Sequence, residues 1–287
     1  MNDRLMMYAE GKEANTKRVY LYCGKKLESF MKKRKLTLET IQPLDVRSFV
    51  LQAHTKKHKK VSMNTSALLK QYILSILLNI GRKDIVTIAR KNLREIKTQH
   101  NFRVDLETEE IIRLIKVTKS ILLKFGFSIM AFNGLRSSEF LSLHFSDIDV
   151  ESKQITLKRR LGEKYFPKGM KVNQDPKRLP LDDFCLELFY QLPFKAGERI
   201  YPFSYKTLRK HFNKSIKKAK ITRTAYPLTL HKLRHFFGHF WTRNKGTIQE
   251  LKRLLRHSDL RYTLLYSDPS EEELTVSFRK IMRLKQR

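Results

Sequence analysis

Only two cysteines, Cys23 and Cys185, occur among the 287 residues. Neither a disulfide framework nor a thiolate zinc site can be built from so few. Long apolar runs are also missing. The longest, 72–80 and 125–132, fall far short of the roughly 20 residues that cross a bilayer. The opening Met1-Asn2-Asp3-Arg4 lacks the apolar stretch of a signal peptide. No repeat is visible, and no glycine-rich loop of a nucleotide-hydrolysing enzyme. Acid is the other shortage: 28 Asp and Glu stand against 60 Lys and Arg, a formal charge of +32. A soluble, intracellular protein with a polyanionic partner is expected.

The hydrophobic fraction of 41% is enough for a packed core and argues against a disordered basic tail. Positive charge is in excess in both halves of the chain, so the protein is expected to lie along its partner. Nucleic acid is the default partner, with an anionic membrane surface as the alternative.

The chain divides near residue 100. From Thr16 to Lys97, apolar positions such as Val19, Leu21, Tyr22, Leu27 and Phe30 recur at three- and four-residue spacing, which predicts helices. Breaks at Lys35-Leu36-Thr37, at Pro43, at the 56–60 cluster (Lys-Lys-His-Lys-Lys) and at Gly81 make about four of them. That cluster fits a solvated loop able to meet a phosphate backbone. Residues 98–104 are polar and aperiodic and predict a linker between a 1–97 domain and a 105–287 domain. Asp105 is the expected cap of the next helix, with Glu107, Glu109 and Glu110 in its first turn. Only Gln154–Lys158, with a return near Arg178-Leu179-Pro180-Leu181, alternates as a strand hairpin does. The fold class is therefore mainly α with a small antiparallel β-sheet.

Three stretches carry chemistry. Gly134-Leu135-Arg136-Ser137-Ser138-Glu139 is a glycine turn that places an arginine at a helix start. His231-Lys232-Leu233-Arg234-His235 puts His231 and Arg234 on one helical face. Leu255-Arg256-His257-Ser258-Asp259 follows a helix opened by the capping box Thr247-Ile248-Gln249-Glu250, with Leu251, Leu254 and Leu255 as its buried stripe. Tyr266 comes nine residues after His257. A phosphodiester passing through a pentacoordinate state gathers charge on its non-bridging oxygens, and two guanidinium forks hold those oxygens better than lysines do. A phenol is a weak nucleophile unless a base or a strongly positive field activates it. The departing sugar oxygen needs a proton, from lysine or histidine. This set is chemically complete without a metal or cofactor. His231, His235 and His239 at four-residue spacing suggest zinc, but Lys232 stands where a zinc peptidase has glutamate. Phe236, Phe237, Phe240 and Trp241 fit core packing.

These stretches resemble the conserved boxes of the tyrosine recombinases, or phage integrases: Gly-Leu-Arg-x-x-Glu, His-x-Leu-Arg-His, and Gly-His-Ser with a tyrosine nine residues on. Tyr20 and Phe30 in the first helix, and the basic loop before Asn64-Thr65, resemble the family's core-binding domain. The resemblance implies a helical core-binding domain joined to a tyrosine-recombinase catalytic domain. Tyr266 would attack the scissile phosphate and form a 3′-phosphotyrosyl link. Arg136 and Arg234 would bind the non-bridging oxygens, His231 would assist proton transfer at the tyrosine, and His257 would bond the phosphate. Glu139 would orient the first arginine's turn. Four protomers on two double-stranded DNA sites would exchange strands, and energy kept in the phosphotyrosine would account for the missing nucleotide loop.

Asn133 stands where the family has threonine, and Arg256 where it has glycine. The family's catalytic lysine lies on a hairpin after the first arginine. With a turn at 160–163, Lys164 begins the return strand and is the choice, with Lys168, Lys158 and Lys171 as competitors. A capping box at Ser270 and Glu273, followed by Leu274, Phe278 and Ile281, forms a stripe that would dock on a neighbouring protomer or pack in cis. The expected role is integration or excision of a mobile element in the cytoplasm of a prokaryotic host, with the composition suggesting an archaeal one. Dimer resolution, a catalytically inactive DNA-binding relative and a relaxing topoisomerase are the alternatives.

Overall fold

Helix signals dominate the sequence, and helices dominate the computed structural model, which describes residues 10, 14–52, 63–96, 106–195, 197–222, 228–266 and 275. The 98–104 linker, Asp105, the 56–60 basic cluster and the stripe through Leu274, Phe278 and Ile281 lie outside the described residues. The chain divides into two compact units, Met1–Arg103 and Val104–Arg287. Among the described residues, no helix is long and apolar enough to cross a membrane.

The first unit holds four described helices: α1 (Ala14–Arg34), α2 (Pro43–Gln52), α3 (Met63–Asn79) and α4 (Lys83–Asn92). They begin and end where the local chemistry dictates. Lys35, just past α1, adopts a left-handed φ of 54°, and Pro43 opens α2 at a position where its missing N–H costs nothing. Leu27, Ile41, Phe49, Leu69, Ile73 and Leu77 share one buried cluster. Two cations fasten its edges. The Arg82 guanidinium donates to the carbonyls of Leu38, Glu39 and Ile41, and the Lys70 ammonium donates to those of Leu93 and Ile96.

The second unit opens with α5 (Thr108–Val117), α6 (Ile121–Phe132) and α7 (Ser137–Ser142). The α5 cap is Glu107, not Asp105 as the sequence suggested. Leu106 is already buried, and the Glu110 carboxylate accepts the Glu107 backbone N–H at 3.0 Å. The helix therefore starts two residues later. A three-stranded antiparallel sheet follows, ordered β1 (Ile148–Asp149), β2 (Gln154–Leu157), β3 (Lys177–Pro180). The helices α8 (Asp183–Tyr190), α9 (Tyr205–Lys218), α10 (His231–Arg243), α11 (Ile248–Leu255) and α12 (Arg261–Leu264) complete it. Apolar α6 forms the centre. Its Phe132 meets Phe236 of α10 edge-on at 6.1 Å, and Phe125 packs on Phe140 and Phe189. Phe240, expected in the core, is 41% exposed, because it lies on the outer face of α10.

The hairpin corrects one sequence expectation. Leu157 pairs with Lys177, so the return strand begins at Lys177 and Lys164 lies in the long 158–176 connection. A turn does form at Gly162, with φ +78°, but side chains then hold the segment outside the ladder. The Arg160 guanidinium is drawn to buried Asp147 at 2.6 Å. Arg159 stacks over the Phe166 ring at 4.1 Å and donates to the Met170 carbonyl. The Tyr165 hydroxyl accepts the Tyr205 backbone N–H.

Candidate active site

Gly134 is the seam on which the site is assembled. Its φ of +63° is left-handed, and a Cβ there would stand 2.6 Å from the Phe237 ring, so only glycine serves. The turn delivers Arg136 to the N-terminus of α7, where the Glu139 carboxylate accepts both the Arg136 backbone N–H at 2.7 Å and its Nη1 at 2.8 Å. The Arg136 side chain keeps 21% exposure. Arg234 reaches the same turn from α10. Fully buried, it donates through Nη1 to the Gly134 carbonyl at 2.7 Å and through Nη2 to the Leu255 carbonyl. Burial, then the like charge of Arg136, pushes Arg234 down to about 9, so it stays cationic at neutral pH.

The capping box at Thr247 and Glu250 is present, and α11 buries Leu251 and Leu255. It ends in a turn in which the His257 N–H bonds back to the Lys252 carbonyl at 3.1 Å, with Arg256 left-handed at φ 54°. Glycine is the usual occupant of such a position. The Arg256 side chain folds inward onto Glu139 at 2.6 Å. The turn also fixes His257, whose Nδ1 lies 2.9 Å from the Thr263 hydroxyl. With that hydroxyl donating, the ring carries its proton on Nε2.

Burial first, and then Arg234, Arg136, Arg256 and His231, lower His257 to about 4. The imidazole is neutral at pH 7. A histidine imidazole NMR titration should therefore show His257 with a midpoint near pH 4; a midpoint near 6.5 would refute its placement among the arginines. The sign for stability follows. Below about pH 6.5 the unfolded chain binds this proton and the folded chain does not until about pH 4, so acidification across that window erodes stability.

Tyr266 is buried, at 5% exposure, whereas Tyr262 is 59% exposed. Its ring is stacked 6.5 Å from His257 and meets His239 edge-on at 5.0 Å. It also covers Gly238, where an added Cβ would stand 2.6 Å from the tyrosine ring. The phenolic oxygen is 2.8 Å from Nδ1 of His235. His235, not His231, is thus the histidine that touches the hydroxyl. The sequence offered one signal for this: His235 shares the five-residue stretch with Arg234. His231 is exposed, with its ring 4.6 Å from that of His235. Arg256 was legible only as added charge; its burial against Glu139 was not.

Lysine placement differs from the rest. Lys164, Lys168 and Lys171 are exposed in the 158–176 connection, and Lys164 lies over the Tyr165 ring at 5.7 Å. Lys158 is paired to Asp147 at 3.4 Å. Among the described residues, no three His, Cys, Asp or Glu side chains form a metal-binding group.

The profile of the phage integrase family matches residues 104–273, more than half of the chain. The chain belongs to the phage integrase family. Integrase relatives include the tyrosine recombinase XerC of Xanthomonas campestris pv. campestris strain B100, 25% identical over 243 residues, 80% of this chain and 71% of that protein. Another is the tyrosine recombinase XerA of Saccharolobus solfataricus, 23% identical over 223 residues, 76% and 68% of the two chains. Membership makes the chain a tyrosine site-specific recombinase. Two solved integrases share the fold. The Tn1549 transposon integrase in complex with transposon right end DNA matches with a TM-score of 0.76 and 17% identity over 98% of both chains. A lambda integrase dimer bound to a COC′ core site matches at 0.65 and 17% identity, covering 91% of this chain and 96% of that one.

Proposed function

We propose that this integrase-family enzyme cleaves and rejoins double-stranded DNA at specific sites, integrating or excising a mobile element. One observation carries the reading: within one compact unit, a buried tyrosine stacked beside a neutral histidine is joined by two arginines from distant parts of the chain that meet at the Gly134–Glu139 turn. In this reading the Tyr266 oxygen attacks the scissile phosphorus, its proton passing to the histidines beside it. The bond from phosphorus to the 5′ oxygen breaks, leaving a 3′-phosphotyrosine. Arg136 and Arg234 bind the non-bridging oxygens where charge develops, and His257 donates to them from Nε2. His231, exposed at the start of α10, assists proton transfer. Lys164, from the connection after β2, protonates the departing 5′ oxygen, which leaves as a hydroxyl. Religation runs the same steps backward, so no nucleotide is consumed. Four protomers on two sites would carry strand exchange, in the cytoplasm of a prokaryotic host. Residues 1–97 act as the core-binding domain, joined by the 98–104 linker to the 105–287 catalytic domain.

A nicked suicide substrate carrying attachment-site DNA tests the chemistry. Incubation should give a protein–DNA adduct whose linked peptide contains Tyr266; linkage elsewhere, or none, overturns the reading. The relatives named XerC and XerA favour a second biological role, resolution of chromosome or plasmid dimers. Strand exchange between separate molecules supports integration, and exclusive resolution of directly repeated sites supports the Xer-like role.

Helix α9 is suited to the DNA backbone. It buries Leu208, Phe212 and Ile216, while Lys206, Arg209, Lys210, Asn213, Lys214 and Lys217 line a shallow depression of about 450 Å³ on its outer side. No carboxylate lies on this helix. Replacing Lys206, Lys210 and Lys214 with glutamine should weaken binding to all DNA sequences alike. The slope of log affinity against log salt should shrink by about one for each phosphate no longer neutralised. A sequence-selective loss measured by filter binding would argue against backbone contact.

A further inference from the structure

Glu139 has four donors for its two oxygens. Oε1 accepts from Arg136 Nη1 at 2.8 Å and Arg256 Nε at 3.3 Å. Oε2 accepts from the Arg136 backbone N–H at 2.7 Å and Arg256 Nη2 at 2.6 Å. A carboxylate offers about four lone-pair sites, so Arg136 and Arg256 together fill it. Arg234 is the third guanidinium nearby, with Nη1 3.7 Å from Oε2, yet its hydrogen bonds go to the Gly134 and Leu255 carbonyls. Carbonyls fix a guanidinium in place without neutralising it, and the 3.7 Å ion pair with buried Glu139 offsets less of its charge than a direct hydrogen-bonded pair would.

Arg256 holds this arrangement from a conformation that disfavours it. A left-handed φ of 54° is disfavoured for a residue with a Cβ and is ordinarily taken by glycine. The side chain is nonetheless only 5% exposed and makes two further bonds, to the Leu254 and Gly134 carbonyls. Glu139 registers the contact: burial would raise its carboxyl, but Arg256 foremost, then Arg136 and Arg234, hold it at about 2.

We infer that Arg256 is a positioning residue for DNA cleavage: by occupying the Glu139 oxygens it holds Arg234 to a long 3.7 Å ion pair with that carboxylate, out of hydrogen-bond reach, and leaves more of the Arg234 charge for the scissile phosphate. This rests on the recombinase reading above. Without the Arg256 guanidinium, two acceptor sites on Glu139 open, and Arg234, 3.7 Å away, closes on them. Ground-state DNA binding, spread over many phosphates, is little affected. The loss falls where charge develops on the phosphate, in the cleavage rate.

Single-turnover cleavage of the nicked suicide substrate at saturating DNA, with affinity by gel shift and folding by thermal melt, tests this on the full chain. R256G relieves the backbone strain but gives up the bonds to Glu139, Leu254 and Gly134, so a purely structural role predicts a lower melting temperature with a normal rate for the folded protein. The positioning role predicts cleavage slowed by about tenfold or more with affinity and folding retained. R256K, which keeps one cationic donor, should recover part of the rate. Adding Glu139→Gln to R256G should also recover part, because a neutral amide no longer attracts Arg234. R256G cleaving at the wild-type rate, or slowed only in proportion to weakened binding, overturns the proposal. If R256G does not fold, R256Q is judged by the same two criteria. Wild-type protein that forms no adduct overturns the recombinase reading itself, and this proposal with it.

Discussion

Tyr266→Phe eliminates covalent capture of DNA, lowering adduct formation by more than about 10⁴-fold, and leaves DNA binding intact. The substitution removes one atom. The ring stays packed over Gly238 and between His239 and His257. The hydrogen bond to His235 Nδ1 disappears, at a cost of about 1 kcal/mol of stability. The folded variant should therefore shift the same DNA fragments in a gel while giving no denaturant-resistant product with the suicide substrate. Adducts that persist would move the nucleophile elsewhere, with exposed Tyr262 first in line.

Arg234→Lys has the second-largest expected effect. Lysine preserves the charge but not the fork that spans the Gly134 and Leu255 carbonyls, and it cannot offer two parallel donors to a phosphate. Cleavage under single-turnover conditions should fall by about 10²–10³, with DNA affinity changing far less. Arg234→Ala should additionally lose about 2–5 kcal/mol of stability in urea unfolding, because it empties a fully buried site and leaves the Gly134 and Leu255 carbonyls without their donors. Wild-type cleavage by the lysine variant would remove Arg234 from the phosphate.

How much of the site could be read in advance varies with the range of the forces involved. The capping box at Thr247, the helix break at Gly81 and the proline start of α2 are local hydrogen-bond and dihedral effects, and the sequence states them directly. The cap expected at Asp105 falls instead at Glu107, whose backbone N–H is taken by the Glu110 carboxylate, so one capping box prevailed over another local signal. The strands expected at 154–158 and near 178–181 do pair, but the placement of Lys164 on a return strand failed for a tertiary reason. A turn signal at Gly162 is real, but Arg160 is held by Asp147, thirteen residues earlier, and the strands pair only from Leu157 to Lys177.

The order and spacing of Arg136, His231, Arg234, His257 and Tyr266 were visible in the chain alone, as were its helical character and its basic surface, because each depends on residue type and separation. Which histidine touches the phenol, which carboxylate binds which arginine, and where the lysines stand were settled only in three dimensions. Those outcomes turn on competition among groups far apart in sequence for the same few buried acceptors, above all the Gly134 carbonyl and Glu139. Linear order does not rank those competitors; packing does, by bringing Arg256 and Arg234 to the one Gly134 carbonyl.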